Sequence, residues 1–317
     1  MKFPVFDLHC DTVLGLMGED IAASGSLRKN DLHIDLERAK TLPGYVQCFA
    51  CFTTTAEDLP AGRTVEDVFE RELSVLMREL NANHDIIRQA FTANDIEENM
   101  ASGIMSAVLS IEGPAGFGFD PSLLENLYQI GFRISTLGWN EKNVLCGSNV
   151  TGGGLTDLGR EYVKEAQRLG MIIDVSHISD EAFWDIMNIT DAPIIASHSN
   201  SREVCNIPRN ISDDMFRAIC ETGGVAGLNL YADFIGGAKD LDACCDHIFH
   251  FLDIDTQGIH IALGGDLDGC DVLPKGFDGV QDYPKLAEAL LHRGLEEDIV
   301  KNIFFNNALG VVRKCCM

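Results

Sequence analysis

The sequence has few positive charges and no long apolar run. Lys and Arg total 24 against 49 Asp and Glu, which gives a formal net charge of −25. A field of that sign repels nucleic acids and anionic membrane surfaces. No stretch approaches the roughly 18 consecutive apolar residues that read as a membrane span. We therefore expect neither a nucleic-acid partner nor a membrane partner.

Signals for secretion and for a disulfide framework are also lacking. The chain starts with MKFPVFDLHCDTVLGL, in which no basic segment precedes an apolar segment and a small-residue cleavage site. The 11 cysteines are an odd number, which argues against a closed set of disulfides. Cys48 and Cys51 form the one C-x-x-C, and a strand would point them to opposite faces, so we expect no shared metal there. These absences predict a cytoplasmic protein with reduced thiols.

No Pro/Ser-rich linker and no fixed-period repeat divides the chain. We therefore expect a single domain over residues 1–317. With 317 residues and a hydrophobic content of 46%, the chain is long enough to bury a large core, and it lies in the size range of single α/β barrels.

What the chain does contain is a series of short apolar runs between amphipathic segments. Eight runs read as strands that are apolar on both faces, as in a parallel sheet covered by helices. They are residues 3–9, 45–53, 104–113, 132–139, 171–177, 193–199, 223–230 and 260–269. Eight strands that alternate with helices predict an α/β fold of the (β/α)₈ TIM-barrel type. An open doubly wound sheet is the alternative, but no G-x-G-x-x-G follows the first strand.

Helix boundaries are marked between these runs. Thr64 with Asp67 resembles a capping box, which predicts that a helix begins at residue 65. Thr156 and Ser179 are candidate N-caps. Gly170 stands where a left-handed residue ends a helix.

Six potential metal ligands end or follow the predicted strands. They are His9, Asp11, Glu112, His177, His198 and Asp266. Each one alone is more often a structural residue, but the carboxyl ends of barrel strands converge on one face, so all six would line one cavity. Three imidazoles and three carboxylates suit Zn²⁺ and exceed the four ligands of one tetrahedral ion, so we expect two ions. The spacing lets His9 and Asp11 chelate one ion while His177 and His198 hold the other. Glu112 is the natural bridge.

Five segments carry a resemblance to a known family. They are DLHCDT (7–12), SIEG (110–113), IDVSHIS (173–179), SHSNSREVCNIPRN (197–210) and GGDLDG (264–269). In these segments the chain resembles the membrane dipeptidase (renal dipeptidase) family of binuclear zinc peptidases, as a bacterial-type member with an amidohydrolase-like barrel. The segments span nearly the whole chain in the family's order.

The resemblance implies a role for each site residue. It gives His9 and Asp11 to one zinc ion and His177 and His198 to the other, with Glu112 between them. It makes Arg209 the group that captures the free carboxylate of the substrate, with Arg202 as the weaker candidate.

The resemblance also implies a mechanism. A metal-bridged hydroxide would attack the scissile carbonyl, and Asp266 would take its proton and return it to the leaving amine. The choice of Asp266 over Asp268 depends on the resemblance alone.

The chain departs from the family after the fourth predicted strand. The resemblance gives animal members a histidine in that loop, whose hydrogen bond stabilises the tetrahedral intermediate, whereas the aligned TLGWNEKN segment offers Trp139. Asn140 or Asn143 could donate a hydrogen bond in its place, or Trp139 could shape the pocket. We therefore name Trp139 and Asn143 as candidate substrate-binding residues. Cys205 matches a disulfide position of secreted relatives, but its partner region, YADFIGGAKD, contains no cysteine. The resemblance also makes a homodimer possible.

We therefore expect a zinc-dependent dipeptidase that cleaves small L-Xaa-L-Xaa or L-Xaa-D-Xaa dipeptides. The altered loop motivates one alternative, a binuclear amidohydrolase that acts on an N-acyl amino acid, a lactone or another small amide. A metal-binding relative without catalysis is the remaining alternative, and the complete ligand set argues against it.

Overall fold

The computed structural model describes residues 3–17, 25–55 and 62–316. Nine strands lie within these ranges, and all of their pairings are parallel. The strands are β1 (Val5–Cys10), β2 (Tyr45–Phe52), β3 (Ile87–Gln89), β4 (Met105–Glu112), β5 (Phe132–Thr136), β6 (Ile172–Asp174), β7 (Ile194–Ala196), β8 (Val225–Leu228) and β9 (Ile261–Leu263).

Eight of these strands close into a barrel. Neighbours follow the order β2-β1-β9-β8-β7-β6-β5-β4, and β2 pairs with β4 from Val46 opposite Ser106 to Phe52 opposite Glu112. Helices lie between most consecutive strands, which confirms the predicted (β/α)₈ barrel. All eight predicted runs contain a strand, but several of the strands end earlier than their runs.

The short strand β3 does not correspond to any predicted run. It pairs with the first residues of β4, where Ile87 lies opposite Met105, and β5 pairs with the same edge from Leu109 onward. Three residues are too few to show the two-residue period of a strand, so the sequence pattern could not indicate it.

Thirteen α-helices lie within the described ranges. They are α1 (Thr12–Gly15), α2 (Leu36–Ala39), α3 (Val65–Ala82), α4 (Ala93–Ala101), α5 (Leu124–Ile130), α6 (Asp157–Leu169), α7 (Asp180–Met187), α8 (Asp213–Thr222), α9 (Ala232–Ile235), α10 (Leu241–Ile254), α11 (Tyr283–His292), α12 (Glu297–Lys301) and α13 (Asn307–Cys315). Three short 3₁₀ turns occur at Pro114–Phe117, Pro121–Leu123 and Val280–Asp282, and a π-helical turn at Asn302–Asn306 joins α12 to α13. None of the described helices combines the length and the apolar character that a membrane span requires.

The predicted helix boundaries are confirmed. Thr64 and Asp67 form the reciprocal hydrogen bonds of a capping box at the start of α3. Thr156 caps α6 and Ser179 caps α7, each by accepting a backbone N–H. Gly170 ends α6 in the left-handed region with φ +88°.

The core has two parts that the barrel wall separates. Alternate strand residues such as Phe6, Cys48 and Ile172 fill the barrel interior and pack at its base on residues of α13 such as Leu309. Their neighbours face outward and pack against the helices, as Cys51 does. Cys48 and Cys51 therefore lie on opposite faces of β2, as predicted. The apolar filling leaves only the carboxyl ends of the strands for polar chemistry.

Candidate active site

The six predicted ligands lie together at the carboxyl ends of the barrel strands. His9 lies in β1, and Glu112 is the last residue of β4. His177, His198 and Asp266 follow β6, β7 and β9 by two or three residues. Asp11 lies directly after β1, and all six side chains are buried. The convergence that the strand pattern predicts is therefore present in the structure.

A β-bulge in β1 brings two of these residues into the barrel. Asp7 lies opposite Gln47 and Cys10 opposite Phe49, so β1 has an extra residue between these pairs. The backbone N–H of His9 donates to the Asp7 carboxylate at 3.0 Å, which fixes the bulged segment. Bulges turn side chains near active sites in this way. As a result, His9 Nε2 lies 3.4 Å from Asp11 Oδ2.

Glu112 lies at the centre of the cluster. Its Oε2 is 3.2 Å from His9 Nε2, while its Oε1 is 3.0 Å from His177 Nε2 and 3.8 Å from His198 Nε2. One carboxylate oxygen thus faces one histidine, and the other oxygen faces the remaining pair. This is the arrangement expected of a carboxylate that bridges two cations.

The protonation of the cluster is strongly perturbed. Burial, together with the neighbouring Asp11, raises the pKa of Glu112 to about 8. Burial alone lowers the pKa of His9, but the carboxylates of Glu112 and Asp11 raise it well above its ordinary value. Burial lowers the pKa of His177 and of His198 well below the usual range, so both are neutral near pH 7. Neutral imidazoles are the form that binds metal.

These residues fit divalent cations. Two sets have ligand atoms that all lie within 4.8 Å of one another, namely His9, Glu112 and His198, and His9, Asp11 and Asp266. His9 Nε2 and Asp11 Oδ1 are buried and make no hydrogen bond within the described part of the chain. Nitrogen and carboxylate ligands in this ratio suit zinc or a similar borderline ion. The cluster is therefore a candidate metal site, made of the ligand types that the sequence indicates.

Two of the six predicted ligands have unusual backbone conformations. His177 has φ +72° and Asp266 has φ +56°, both in the left-handed region that residues other than glycine rarely adopt. Such strain persists only where the surrounding structure imposes it, and it concentrates at functional sites.

Asp266 is held beside the ligands by polar contacts. Asn229 Nδ2 donates to its Oδ2 at 3.0 Å, and burial raises the pKa of Asp266 to about 6. Its neighbour Asp268 has a different role, because it accepts a hydrogen bond from the Thr12 hydroxyl at 2.6 Å and one from the backbone N–H of His33 at 2.5 Å. Asp268 thus ties the GGDLDG loop to the start of α1 and to the segment around His33.

Arg209 is buried with part of its guanidinium unpaired. Its Nη1 donates to Ser199 Oγ at 2.8 Å, whereas Nε and Nη2 have no hydrogen-bond partner among the described residues. Its charge acts on Asp266, and its guanidinium lies 5.7 Å from the centre of the Phe234 ring. Arg202 instead makes a two-pronged ion pair with Asp180 near the surface. Of the two candidate arginines, Arg209 is therefore the one whose Nε and Nη2 can bind a ligand near the cluster.

A cavity of about 340 Å³ opens onto the cluster. Its polar lining includes Asp11, Glu112, Asn140, His177, Asp266 and Asp268, and its apolar lining includes Leu14, Phe52, Trp139, Tyr231 and Phe234. Trp139 packs edge-on against Phe52 with ring centres 5.2 Å apart. A cavity with aromatic walls and a few converging polar groups is typical of a small-molecule site.

The structure brings Trp139 to this cavity but not Asn143. The amide of Asn143 donates to the carbonyl of Leu137 and accepts from the N–H groups of Leu145 and Cys146, so it holds its own loop together. Asn140, the other asparagine considered from the sequence, lines the cavity, and its Oδ1 lies 3.1 Å from His177 Nδ1. The geometry therefore favours Asn140 over Asn143.

Sequence reasoning missed several residues around the site. Asn229 follows β8 directly, so the strand-end argument that found the ligands applies to it, but an asparagine is not a typical zinc ligand. Phe52, Tyr231 and Phe234 have only apolar or aromatic character to mark them, which does not distinguish a cavity wall from a core residue.

The chain is similar to known dipeptidases along its whole length. The family model of the membrane dipeptidases, peptidase family M19, matches residues 1–316. An uncharacterized dipeptidase of Schizosaccharomyces pombe is 37% identical over 214 residues, which are 65% of this chain and 52% of that protein. The chain thus matches about half the length of that relative.

Two solved structures resemble the whole chain. A metallopeptidase of Rhodobacter sphaeroides, liganded with a phosphinate mimic of the dipeptide L-Ala-D-Ala, has a TM-score of 0.87 at 25% identity and covers 99% of this chain and 100% of its own. The dipeptidase AC, a metallopeptidase of family M19, has a TM-score of 0.87 at 26% identity and covers 100% of this chain and 99% of its own. With a family model that matches almost every residue, this chain belongs to the membrane dipeptidase family, peptidase family M19.

Proposed function

We propose that this protein is a zinc-dependent dipeptidase with two metal ions per chain. The observation that carries the proposal is the position of Arg209, a buried guanidinium with two unpaired nitrogens, close enough to the His, Asp and Glu cluster to interact with Asp266 and Glu112. A dipeptide has a free carboxylate at a fixed short distance from its one peptide bond. The guanidinium of Arg209 can bind the carboxylate of a dipeptide while the candidate metal site faces its peptide bond.

The residues that would hold the ions are those predicted from the sequence. His9 and Asp11 would hold one ion, His177 and His198 the other, and the two oxygens of Glu112 would be shared between them. When bound, the ions would lower the pKa of a water molecule towards neutrality and polarise the scissile carbonyl.

The chain's own groups supply the remaining steps. Arg209 would bind the carboxylate of the substrate through Nε and Nη2 and thereby orient the peptide bond over Glu112. Asp266 would act as general base and then as general acid: it would take a proton from the attacking water and deliver it to the leaving amine. Asn229 holds Asp266 through its Oδ2, which leaves Oδ1 to carry the proton.

The cavity favours a substrate of dipeptide size. Its volume of about 340 Å³ lies at the lower end of the range for small-molecule sites. The aromatic walls give the side chains of a dipeptide apolar surface on which to pack. The Rhodobacter sphaeroides structure holds a mimic of L-Ala-D-Ala, which supports the inclusion of L-Xaa-D-Xaa dipeptides beside L-Xaa-L-Xaa dipeptides among the proposed substrates.

Activity on a dipeptide panel would test this function directly. We expect hydrolysis of free L,L and L,D dipeptides by protein that contains about two zinc ions, and loss of hydrolysis when the C-terminal carboxylate is amidated. Cleavage of N-acyl amino acids in place of dipeptides would favour the alternative amidohydrolase. Two bound ions with no hydrolysis of any of these compounds would favour a relative that binds metal without catalysis.

The domain organisation, cellular compartment and oligomeric state of the enzyme are also proposals. We propose a single domain over residues 1–317 that works in the cytoplasm and associates as a homodimer. The barrel extends from β1 to α13, which supports one domain. All eleven cysteines, Cys205 included, are free thiols, which supports a reducing compartment. The homodimer is supported by the family resemblance, and measurement of the molar mass in solution would test it.

A further inference from the structure

Three buried serines connect Arg209 with the predicted ligand His198. Ser176 Oγ lies 3.3 Å from Ser199 Oγ and 3.4 Å from Ser197 Oγ. Arg209 donates to Ser199 at one end of this chain of hydroxyls. At the other end, Ser197 donates to the carboxylate of Asp174. All three serines are at most 1% exposed, so no bulk water competes for these hydrogen bonds.

The two ends of the chain fix the direction of its hydrogen bonds. A guanidinium can only donate, and a carboxylate can only accept. Asp174 is fully buried, and its Oδ1 already accepts the backbone N–H groups of Ser176 and Ser197, each at 2.9 Å. Its Oδ2 accepts the hydroxyl proton of Ser197. Because that hydroxyl has one proton, Ser197 Oγ must act as an acceptor towards any further partner.

The further partner of Ser197 is the imidazole of His198. Ser197 Oγ lies 2.6 Å from His198 Nδ1, so His198 must carry its proton on Nδ1 and donate it to Ser197. The lone pair of His198 is then on Nε2, the atom that faces Glu112 and His177. A histidine that binds metal through Nε2 requires this tautomer, and the partner of its other nitrogen usually fixes it.

We propose that Asp174 and Ser197 are positioning residues that set the tautomer of His198 and thereby raise the metal affinity of the site. This inference rests on the proposed function, since it needs His198 to be a metal ligand. Neither residue is among those that line the cavity: Asp174 ends β6 and Ser197 directly follows β7. Their hydroxyl and carboxylate reach the proposed metal site through the ring of His198, and Asp174 also holds the backbone N–H groups of the residues before His177 and His198.

The substitution Asp174→Asn tests the direction of the hydrogen bonds. The carbonyl oxygen of the introduced amide can keep both backbone N–H groups, which places its NH₂ group against Ser197 Oγ. Ser197 Oγ would then accept a hydrogen bond from that NH₂ group and turn its own proton towards His198 Nδ1. His198 would be forced into the other tautomer, with a proton on Nε2 that obstructs metal binding.

A second variant and a matched control complete the design. Ser197→Ala removes the acceptor for His198 Nδ1 and leaves the tautomer free, so its effect should be smaller than that of Asp174→Asn. Ser201→Ala removes a buried hydroxyl from the same segment, but one whose Oγ has no hydrogen-bond partner among the described residues. All variants would first be compared with the wild type by circular dichroism and by melting temperature, and Ser197→Ala decides the question if Asp174→Asn does not fold.

Zinc affinity and the histidine tautomer are the two readouts. We expect zinc competition with a chelator to show an affinity about 100 times weaker for Asp174→Asn, about 10 times weaker for Ser197→Ala, and changed by less than about threefold for Ser201→Ala. Nitrogen-15 spectra of the metal-free wild type should show His198 protonated on Nδ1, and those of Asp174→Asn should show the proton on Nε2. Unchanged affinity and an unchanged tautomer in folded Asp174→Asn and Ser197→Ala would overturn the inference. A wild type that has the Nδ1 tautomer but binds no zinc would contradict the proposed function and leave the tautomer control supported.

Discussion

The Nε2 atoms of His177 and His198 face each other at 2.9 Å. In the tautomer inferred above, His198 Nδ1 donates to Ser197, and Asn140 Oδ1, an acceptor, lies 3.1 Å from His177 Nδ1, which favours the same tautomer for His177. Both Nε2 atoms therefore present lone pairs to each other and to Glu112. In these tautomers the two lone pairs repel one another, and a cation beside both relieves the repulsion. In these tautomers the pair is arranged to bind a metal ion.

Removal of metal should therefore cost both activity and stability. We expect a strong chelator to abolish dipeptide hydrolysis and to lower the melting temperature, because the repulsion within the cluster then has no compensating cation. Zinc at about 100 times its dissociation constant should return roughly 2.7 kcal/mol of stability. Differential scanning calorimetry with and without chelator measures this effect. Magnesium serves as the control ion, since it prefers oxygen ligands and should restore little. Equal melting temperatures in chelator and in zinc would contradict the prediction.

Arg209 provides the second prediction. The substitution Arg209→Met should raise KM for dipeptides by an amount that corresponds to roughly 2 to 3 kcal/mol, because it removes a charge-assisted contact with the substrate carboxylate in a buried site. The matched control is Arg202→Met, which removes a cation of the same loop whose partner is the half-exposed Asp180. Steady-state kinetics should show an unchanged KM for the control. If both variants have the KM of the wild type, Arg209 does not bind the substrate carboxylate.

Much of this site could be predicted because the carboxyl ends of all the strands in a parallel barrel lie on one face. A residue that ends a strand lies at the catalytic face, so the positions of His9, Glu112 and His198 followed from the apolar runs alone. The five family segments added Arg209 and the choice of Asp266. The helix caps could be predicted because a cap depends on a few adjacent residues, as Thr156 shows for α6.

The features that escaped prediction depend on contacts between distant segments. The tie between Asp268 and His33 joins residues that are 235 positions apart, and no local pattern indicates it. The choice of Asn140 over Asn143 depends on how one loop folds back on itself. The bulge that brings His9 and Asp11 together depends on the register of β1 against β2, which a single strand does not reveal.

Asp266 is predicted to carry the proton in catalysis. Asp266→Asn should lower kcat by roughly 10² to 10⁴ while zinc content stays near that of the wild type, since an amide cannot accept and return the proton. Asp271→Asn changes an exposed carboxylate of the same loop and should leave kcat unchanged. Metal analysis and kinetics on the two purified variants measure the effect. A loss of kcat that merely follows a loss of zinc would remove the argument for proton transfer.

The pH profile gives an independent reading of the same residue. Burial raises the pKa of Asp266 to about 6, and a base works only in its ionised form. kcat/KM should therefore rise with pH and level off above about 6, and the charge of bound cations would move this limb to lower pH, not higher. Profiles between pH 4 and 8 test this. An acidic limb centred well above pH 6, or one that persists unchanged in Asp266→Asn, would show that another group titrates.

By the family resemblance, Trp139 stands at the position of a histidine in animal members, and its contacts indicate a cavity wall rather than a proton donor. It packs edge-on against Phe52 and lies 6.2 Å from the ring centre of His177. Trp139→Ala should raise KM for dipeptides with bulky apolar side chains by an amount that corresponds to roughly 1 kcal/mol, and it should change KM for Gly-Gly much less, because small side chains do not reach the wall.

The chain offers a matched control, since Trp184 is its one other tryptophan and lies on α7 with 42% of its surface exposed. Trp184→Ala should leave the KM values of both substrates unchanged. If Trp139→Ala instead lowers kcat equally for every dipeptide while KM is preserved, Trp139 stabilises the transition state, and the residue has taken over the role of the missing histidine.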